Sequence, residues 1–188
     1  GKKFQELVPV HDYNKIYEEW WKKTLDGVPD VTWPGKIKYY ALSSGTSDAA
    51  SKYIPITKEL LRSNTVNYLR QLFSLLSYQE ANKRAMAKGF LMIGGTTDLR
   101  KDNAGWYAGD LSGILAKKRP FWFQSFYKPG GRIAAIGDWS QKLNEIVEHA
   151  KEWDIGYIVG VPAWCQMCME MVIEHYKVKN IHEIWPNF

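Results

Sequence analysis

A run of hydroxyl side chains in the first third of the sequence offers the clearest chemistry. It contains four hydroxyl residues and one glycine, followed shortly by a lysine: Ser43, Ser44, Gly45, Thr46, Ser47 and Lys52. Hydroxyl groups and backbone N–H groups donate hydrogen bonds to anions, and a lysine adds a full positive charge. The run therefore predicts a loop that binds a phosphate group.

Two predicted strands flank this run and would hold its ends in place. Residues 37–42 (IKYYAL) and 53–56 (YIPI) are rich in aromatic and β-branched residues, as strands are. A hydroxyl-rich loop between two strands is a reasonable cradle for phosphate. The alternative is that the run is only a polar turn with no binding function.

Further along the chain, helical and strand patterns alternate. Apolar residues recur at helical spacing in residues 12–25, 57–76, 138–150 and 162–176, and short apolar runs typical of buried strands occupy 90–93 and 155–161. Residues 98–132 are predicted to be irregular, with a short helix over 110–117. This alternation predicts an α/β fold in a single domain spanning residues 1–188.

Local signals mark the starts of the two last helices. Asp138 with Gln141 has the spacing of a capping box, in which the first side chain accepts a hydrogen bond from the backbone of the second. Pro162 suits the first position of a helix, because its missing N–H group would be unpaired there anyway. These residues predict helices that begin at about 139 and 162.

The composition argues against several classes of partner. The formal net charge is +5, and the 25 basic residues are spread along the sequence, so nucleic-acid binding is not expected. No apolar run approaches the roughly 20 residues that cross a bilayer, and no signal-peptide pattern is present, so no membrane partner is expected. Two cysteines without a secretory context fit a reducing compartment. The predicted location is the cytoplasm.

The hydroxyl run resembles the phosphate loop of one superfamily. It lacks the G-x-x-x-x-G-K-[ST] spacing of a Walker P-loop, and resembles instead the loop of adenylate-forming enzymes. More narrowly, it is similar to that of the Gretchen Hagen family, the auxin-responsive acyl-acid amido synthetases and their bacterial relatives. The segments 7–13 (LVPVHDY) and 160–164 (GVPAW) resemble that family's entry segment and a later strand-to-helix junction. Ala49 departs from the pattern, since family members usually carry glycine there; alanine restricts positive φ.

The resemblance implies part of the N-terminal domain of an ATP-dependent ligase. A carboxylic acid would attack the α-phosphate of ATP to give an acyl-adenylate and pyrophosphate, and an amine such as an amino acid would then displace AMP. By resemblance, the six residues of the run would bind the ATP phosphates while Mg²⁺ neutralises developing charge. Val161 and Trp164 would line the acyl pocket. No catalytic residue is assigned.

The resemblance also implies that further machinery is needed. In the family, the groups that bind adenine and ribose and the mobile C-terminal lid come well after the matched region. We therefore expect residues 1–188 to be an incomplete N-terminal piece that is inactive alone.

Two alternatives remain open. The chain could be a non-catalytic module that binds phosphate or a nucleotide. It could also be a thioredoxin-like redox protein, because Trp164-Cys165-Gln166-Met167-Cys168 places W-C-x-x-C at the start of a predicted helix. Only 20 residues follow Cys168, too few for the remaining strands of such a domain, so core packing is favoured for both thiols. His175 and His182 lack a usual zinc spacing from these cysteines, and no metal site is predicted.

Overall fold

The computed structural model describes residues 2–43, 51–78 and 80–188, with the backbone alone for residues 80–82. Contacts between residues divide the chain into two compact units. The first unit comprises residues 1–57 and 101–108, and the second comprises residues 58–100 and 109–188. The single domain predicted from the sequence stays a prediction.

Strands and helices alternate along the described residues. The strands are β1 Tyr39–Ser43, β2 Lys52–Ile56, β3 Gly89–Ile93, β4 Arg100–Lys101, β5 Tyr107–Gly109, β6 Tyr127–Lys128 and β7 Ile155–Gly160. The α-helices are α1 Lys2–Leu7, α2 Tyr13–Ile16, α3 Lys22–Leu25, α4 Lys58–Leu76, α5 Glu80–Met86, α6 Leu111–Lys117, α7 Gly130–Ala134, α8 Trp139–His149 and α9 Pro162–Tyr176. Among these residues, no helix is both long and apolar enough to cross a membrane.

In the first unit, the helix predicted over residues 12–25 is present but is not uniform. A π-helical stretch, Tyr17–Trp21, joins α2 to α3. Asp12 caps the segment, because its carboxylate accepts a hydrogen bond of 2.8 Å from the backbone N–H of Lys15. The π-helical stretch has no sequence pattern that the helical prediction could have detected.

The sheet of the first unit has the strand order β2-β1-β5-β4. Strands β1 and β2 are antiparallel and pair Tyr39 with Ile56 at one end and Ser43 with Lys52 at the other. Both strands confirm the sequence prediction to within two residues. Behind them lies a core of aromatic residues centred on Tyr40 and Trp106.

The second unit is built on a parallel sheet with the order β6-β3-β7. The central strand β3 is the apolar run predicted at residues 90–93, and β7 is the run predicted at 155–161. Parallel neighbours require crossover connections, and α6, α7 and α8 lie in those connections. The two-residue strands β4 and β6 fall in the region predicted to be irregular, because so short a strand leaves no periodic pattern.

Aliphatic side chains form the main core of the second unit. Its buried members come from strands, helices and the C-terminal segment: Leu91, Ile93, Ile133, Leu143, Ile146, Val147, Ala150, Ile155, Cys168, Val172, Ile181, Ile184 and Trp185. The predicted helix starts are confirmed. The Asp138 carboxylate accepts a 2.7 Å hydrogen bond from the Gln141 N–H group, and Pro162 is the first residue of α9.

Helix α4 confirms its predicted span but not its whole predicted face. The stripe Leu61, Thr65, Leu69, Leu72 and Leu76 is half-buried, as expected. Phe73, another apolar residue of the helical pattern predicted over residues 57–76, is 67% exposed. Successive helical residues are rotated by about 100°, so Phe73 lies beyond the edge of the half-buried stripe.

Candidate functional site

The predicted phosphate loop is visible at its two ends. Ser44, Gly45, Thr46 and Ser47, together with Ala49, lie outside the described residues. Ser43 is the last residue of β1, Lys52 is the first of β2, and the two are paired across the strands. The structure therefore holds the two ends of the loop side by side. The roles of all six residues in phosphate binding stay predictions.

Tyr13 contacts the strand that leaves the loop. Its hydroxyl oxygen accepts a 3.0 Å hydrogen bond from the backbone N–H of Tyr53, and its ring centroid lies 5.0 Å from the ammonium nitrogen of Lys52. Burial is the main cause that raises the pKa of the Tyr13 hydroxyl. The sequence placed Tyr13 in the helix predicted over residues 12–25 and at the end of the segment 7–13, and its contact with β2 emerged from the structure.

Val161 and Trp164, predicted by resemblance to line the acyl pocket, lie at the start of α9. Their side chains are 47% and 39% exposed. The carbonyl oxygen of Val161 accepts the Trp164 N–H in a 2.9 Å hydrogen bond, and the Trp164 ring centroid lies 4.5 Å from that of Trp139. Neither residue lines the cavity described below, and their part in an acyl pocket stays a prediction.

The two thiols are packed into the protein. Cys168 is fully buried and belongs to the aliphatic core, and Cys165 is buried one helical turn earlier. Burial raises the pKa of Cys165, and it raises that of Cys168 to about 12. A redox-active C-x-x-C pair needs a lowered thiol pKa, so the environment here opposes the thioredoxin-like alternative.

The second unit contains a cavity of about 230 Å³ that the sequence did not reveal. Its walls come from α4, α6, β3, β6, β7 and the segment that follows α6. The lining residues are Asn64, Thr65, Tyr68, Phe90, Met92, Leu115, Ala116, Arg119, Pro120, Phe123, Tyr127 and Val159. Its volume is below the roughly 300–1,000 Å³ of sites for drug-sized ligands, so it suits a smaller molecule.

Aromatic rings around Phe90 form much of the cavity wall. The Phe90 centroid lies 4.7 Å from that of Phe123 and 5.6 Å from that of Tyr127, and Tyr157 stacks on Phe90 at 5.5 Å. The hydroxyl oxygens of Tyr68 and Tyr157 are 2.9 Å apart and share a hydrogen bond. Burial raises the pKa of both hydroxyl groups, which therefore stay protonated at neutral pH. This aromatic part of the wall is uncharged.

Arg119 is the charged residue of the described lining. Its guanidinium carbon lies 3.7 Å from the centroid of the Tyr127 ring, and its Nη1 donates a hydrogen bond to the carbonyl oxygen of Ala116. Burial lowers the Arg119 pKa, yet an arginine side chain stays protonated in proteins. No lining residue that the structure describes carries a carboxylate. The cavity therefore combines apolar walls with one positive charge.

Comparison with known proteins agrees with the resemblance. The family described as "GH3 family N-terminal domain" matches residues 1–157.

This chain belongs to the GH3 family.

Two solved structures show that the GH3 chain has the expected fold. GH3.15 acyl acid amido synthetase matches 94% of the chain with a TM-score of 0.66 and 20% sequence identity. AtGH3.15 acyl acid amido synthetase in complex with 2,4-DB matches 94% with a TM-score of 0.67 and 18% identity. The GH3 chain spans 31% of the length of each. A search among curated proteins found no match.

These findings confirm two of the sequence predictions. The family named from the hydroxyl run and its flanks is the right one, and the α/β fold is that of the N-terminal part of GH3 acyl acid amido synthetases. The cavity was missed because its lining residues are scattered from position 64 to position 159. The cluster of aromatics at 121–127 was the available signal, but sequence reasoning assigned it to irregular structure.

Proposed function

We propose that this GH3 chain is the N-terminal part of an ATP-dependent ligase that activates a carboxylic acid. The acid would attack the α-phosphate of ATP, forming an acyl-adenylate and releasing pyrophosphate. An amine, such as an amino acid, would then displace AMP and form an amide. We place this activity in the cytoplasm, in keeping with two free cysteines.

The family match is the observation that carries this proposal. It covers residues 1–157 and so includes the whole hydroxyl run. The fold neighbours are acyl acid amido synthetases by name, and one of them is described in complex with 2,4-DB. Because the chain spans 31% of their length, the complete reaction is proposed for the protein that carries this sequence.

The described ends of the loop suit a nucleotide. Ser43 contributes a hydroxyl donor and Lys52 an exposed ammonium group, and both lie where β1 and β2 pair. Lysine is a common partner for phosphate groups. ATP would supply the leaving pyrophosphate, and Mg²⁺ would neutralise its charge. No described group of three or more His, Cys, Asp or Glu residues is placed to share a metal ion, so we assign no protein ligand to Mg²⁺.

The cavity of the second unit supports the proposed binding of a carboxylic acid. Its aromatic and aliphatic walls would exclude water from the apolar body of a small organic acid. Because no described lining residue is acidic, a carboxylate would enter without repulsion from a like charge on the cavity wall.

Nucleotide titration tests the phosphate loop. Lys52→Ala should weaken ATP binding about tenfold, the value of one charge-assisted hydrogen bond. AMP binding should change less, because AMP lacks the β- and γ-phosphates. Lys36→Ala is the matched control: Lys36 is also an exposed lysine of the first unit, and its loss changes the net charge equally. Isothermal titration calorimetry is the measurement. Equal ATP affinity for wild type and Lys52→Ala would contradict the proposal.

Acid binding separates a ligase from a module that only binds nucleotide. A ligase part should bind both ATP and a carboxylic acid, whereas a nucleotide module should show ATP binding alone. A panel of small aliphatic and aromatic acids, titrated with and without ATP, makes this distinction. Absence of binding across the whole panel would favour the nucleotide module.

A further inference from the structure

Tyr13 covers the open edge of the sheet in the first unit. Strand β2 lies at that edge, in the order β2-β1-β5-β4. On an edge strand, alternate N–H groups face away from the neighbouring strand and need another partner. The hydroxyl oxygen of Tyr13 accepts such a hydrogen bond, of 3.0 Å, from the backbone N–H of Tyr53. The phenol group is therefore fixed at the residue that follows Lys52.

The helical segment that carries Tyr13 is anchored at its start. Tyr13 is the first residue of α2, and the preceding Asp12 caps that helix by accepting a hydrogen bond of 2.8 Å from the backbone N–H of Lys15. The Tyr13 ring stacks on that of Tyr17, with centroids 5.7 Å apart, and the Trp21 ring meets it edge-on at 5.9 Å. Ring pairs in these geometries attract each other. The hydroxyl and the ring of Tyr13 are thus held by separate contacts.

The Tyr13 ring in turn contacts the side chain of Lys52. The ring centroid lies 5.0 Å from the ammonium nitrogen, within the roughly 6 Å over which an aromatic face attracts a cation. The hydroxyl of Tyr13 stays neutral at neutral pH, because burial raises a pKa that is already high in tyrosine. The attraction therefore comes from the ring and not from a phenolate, and it leaves the charge of Lys52 unneutralised.

A partner of this kind suits a lysine that binds an anion. In the part of the chain that the structure describes, no carboxylate forms an ion pair with Lys52. A carboxylate would compete with a phosphate group for the ammonium, whereas a ring orients the ammonium without supplying a negative charge. Lysine has a long and flexible stem. Holding it in place before the ligand arrives reduces the entropy that is lost on binding.

The position of Lys52 connects this contact to the hydroxyl run. Lys52 is the first residue of β2 and pairs with Ser43, the last residue of β1. We propose that Tyr13 is a positioning residue whose ring holds the Lys52 ammonium group in place for the phosphates of ATP. The assignment of phosphate to Lys52 rests on the proposed function, whereas the contact between ring and ammonium can be tested without it.

The competing explanation is that Tyr13 only packs its helix against β2. NMR of the protein that carries this sequence, with isotope-labelled lysine, tests the contact without any ligand, since an aromatic ring shifts the signals of protons held over its face. The Lys52 ε-methylene signal, assigned by its loss in Lys52→Ala, should lie upfield of those of other exposed lysines. Tyr13→Leu should move it to their position, and Tyr13→Phe, which keeps the ring, should not. A Lys52 signal that Tyr13→Leu leaves unchanged would overturn the proposal.

Titration with ATP then tests the role of this contact in binding. Tyr13→Leu should weaken ATP binding about fivefold, as one cation–π contact predicts, and Tyr13→Phe should keep the affinity within about twofold of wild type. AMP binding should not change, because AMP lacks the β- and γ-phosphates. Trp20→Leu is the matched control, since it removes a ring of the same helical segment that contacts His11. Equal ATP affinity for Tyr13→Leu and Trp20→Leu would overturn the role.

A double variant shows whether Tyr13 acts through Lys52. In the Lys52→Ala background, Tyr13→Leu should cause no further loss of ATP affinity, because the ammonium group is already gone. A loss as large as that in the wild-type background would mean that Tyr13 acts by packing alone, and would overturn the proposal. If Lys52→Ala weakens ATP binding and Tyr13→Leu does not, the proposed function stands without this role. If Lys52→Ala has no effect, the proposed function fails and the role of Tyr13 fails with it.

Discussion

The two units bury their side chains in different ways. The core of the first unit is aromatic, and the polar groups of Tyr40 and Trp106 form hydrogen bonds within it. Tyr40 donates to the Thr24 hydroxyl at 2.9 Å, and Trp106 Nε1 donates to the Leu25 carbonyl at the same distance. The main core of the second unit is largely aliphatic. Stability in the first unit therefore depends partly on polar pairing, whereas the second depends chiefly on close packing.

The two candidate sites also differ, in how their residues are distributed along the sequence. The hydroxyl run of the first unit is contiguous in sequence, and its chemistry is visible there before any fold is known. The cavity of the second unit is assembled from residues between 64 and 159. Arg119, the charged residue of the lining that the structure describes, has no motif around it. Contiguous sites can be predicted from sequence, and assembled sites need the structure.

The largest expected change in stability lies in the second unit, where the backbones of β7 and α5 approach each other closely. A methyl group built at Gly156 in β7 would lie 1.8 Å from the carbonyl oxygen of Ala85 in α5. Gly156→Ala should therefore lower the free energy of unfolding by about 3 kcal/mol or more, since backbone has to move. Gly137→Ala, where the added methyl group meets nothing within 4 Å, is the control. Chemical denaturation measures both, and equal stability would contradict the packing described.

A smaller loss of unfolding free energy is expected when a buried hydrogen bond is removed from the first unit. Tyr40→Phe keeps the buried ring but deletes the hydrogen bond to Thr24, which should cost about 1 kcal/mol. Tyr107→Phe is the control, because the structure describes no hydrogen bond for the Tyr107 hydroxyl. Thermal denaturation compares the two. A loss as small as that of the control would mean that the aromatic core is held by packing alone.

The smallest expected effect on the unfolding free energy comes from a buried charge in the second unit. Lys142 in α8 is 4% exposed, and its ammonium group donates to the Gly94 carbonyl at 3.2 Å. Burial lowers the Lys142 pKa, partly offset by Asp110. Between that lowered pKa and the ordinary value near 10.4, the unfolded chain binds more protons, so the unfolding free energy contributed by Lys142 rises with pH.

Substitution by an uncharged side chain of similar length isolates this contribution. Lys142→Met removes the titration, so the wild type should gain stability relative to the variant as the pH rises towards the ordinary lysine pKa near 10.4. Titration of tyrosines and cysteines is common to both proteins and cancels in the difference. Urea denaturation at each pH is the measurement. A difference that is independent of pH would show that the Lys142 pKa is not lowered by folding.

Much of the fold was predictable where signals are local. Asp138 and Pro162 marked the starts of α8 and α9, and both are confirmed. The apolar run at 90–93 is the central strand of a parallel sheet, where both faces of a strand are covered and its sequence is continuously apolar. The short strands β4 and β6 were missed because two residues leave no periodic pattern and their pairing depends on neighbours distant in sequence. The π-helical stretch was missed because its apolar spacing does not distinguish it from an α-helix.

The sequence by itself determined the family. Hydroxyl groups, a glycine and a lysine at a particular spacing are a chemical pattern that needs no tertiary contact to be recognised, and the family match agrees with it. The sequence also favoured core packing for both thiols, which are buried. Only the tertiary structure decided that Ser43 and Lys52 are paired across two strands and that Arg119 lines an apolar cavity. Strand pairing and burial depend on residues far apart along the chain, and these contacts exist only after folding.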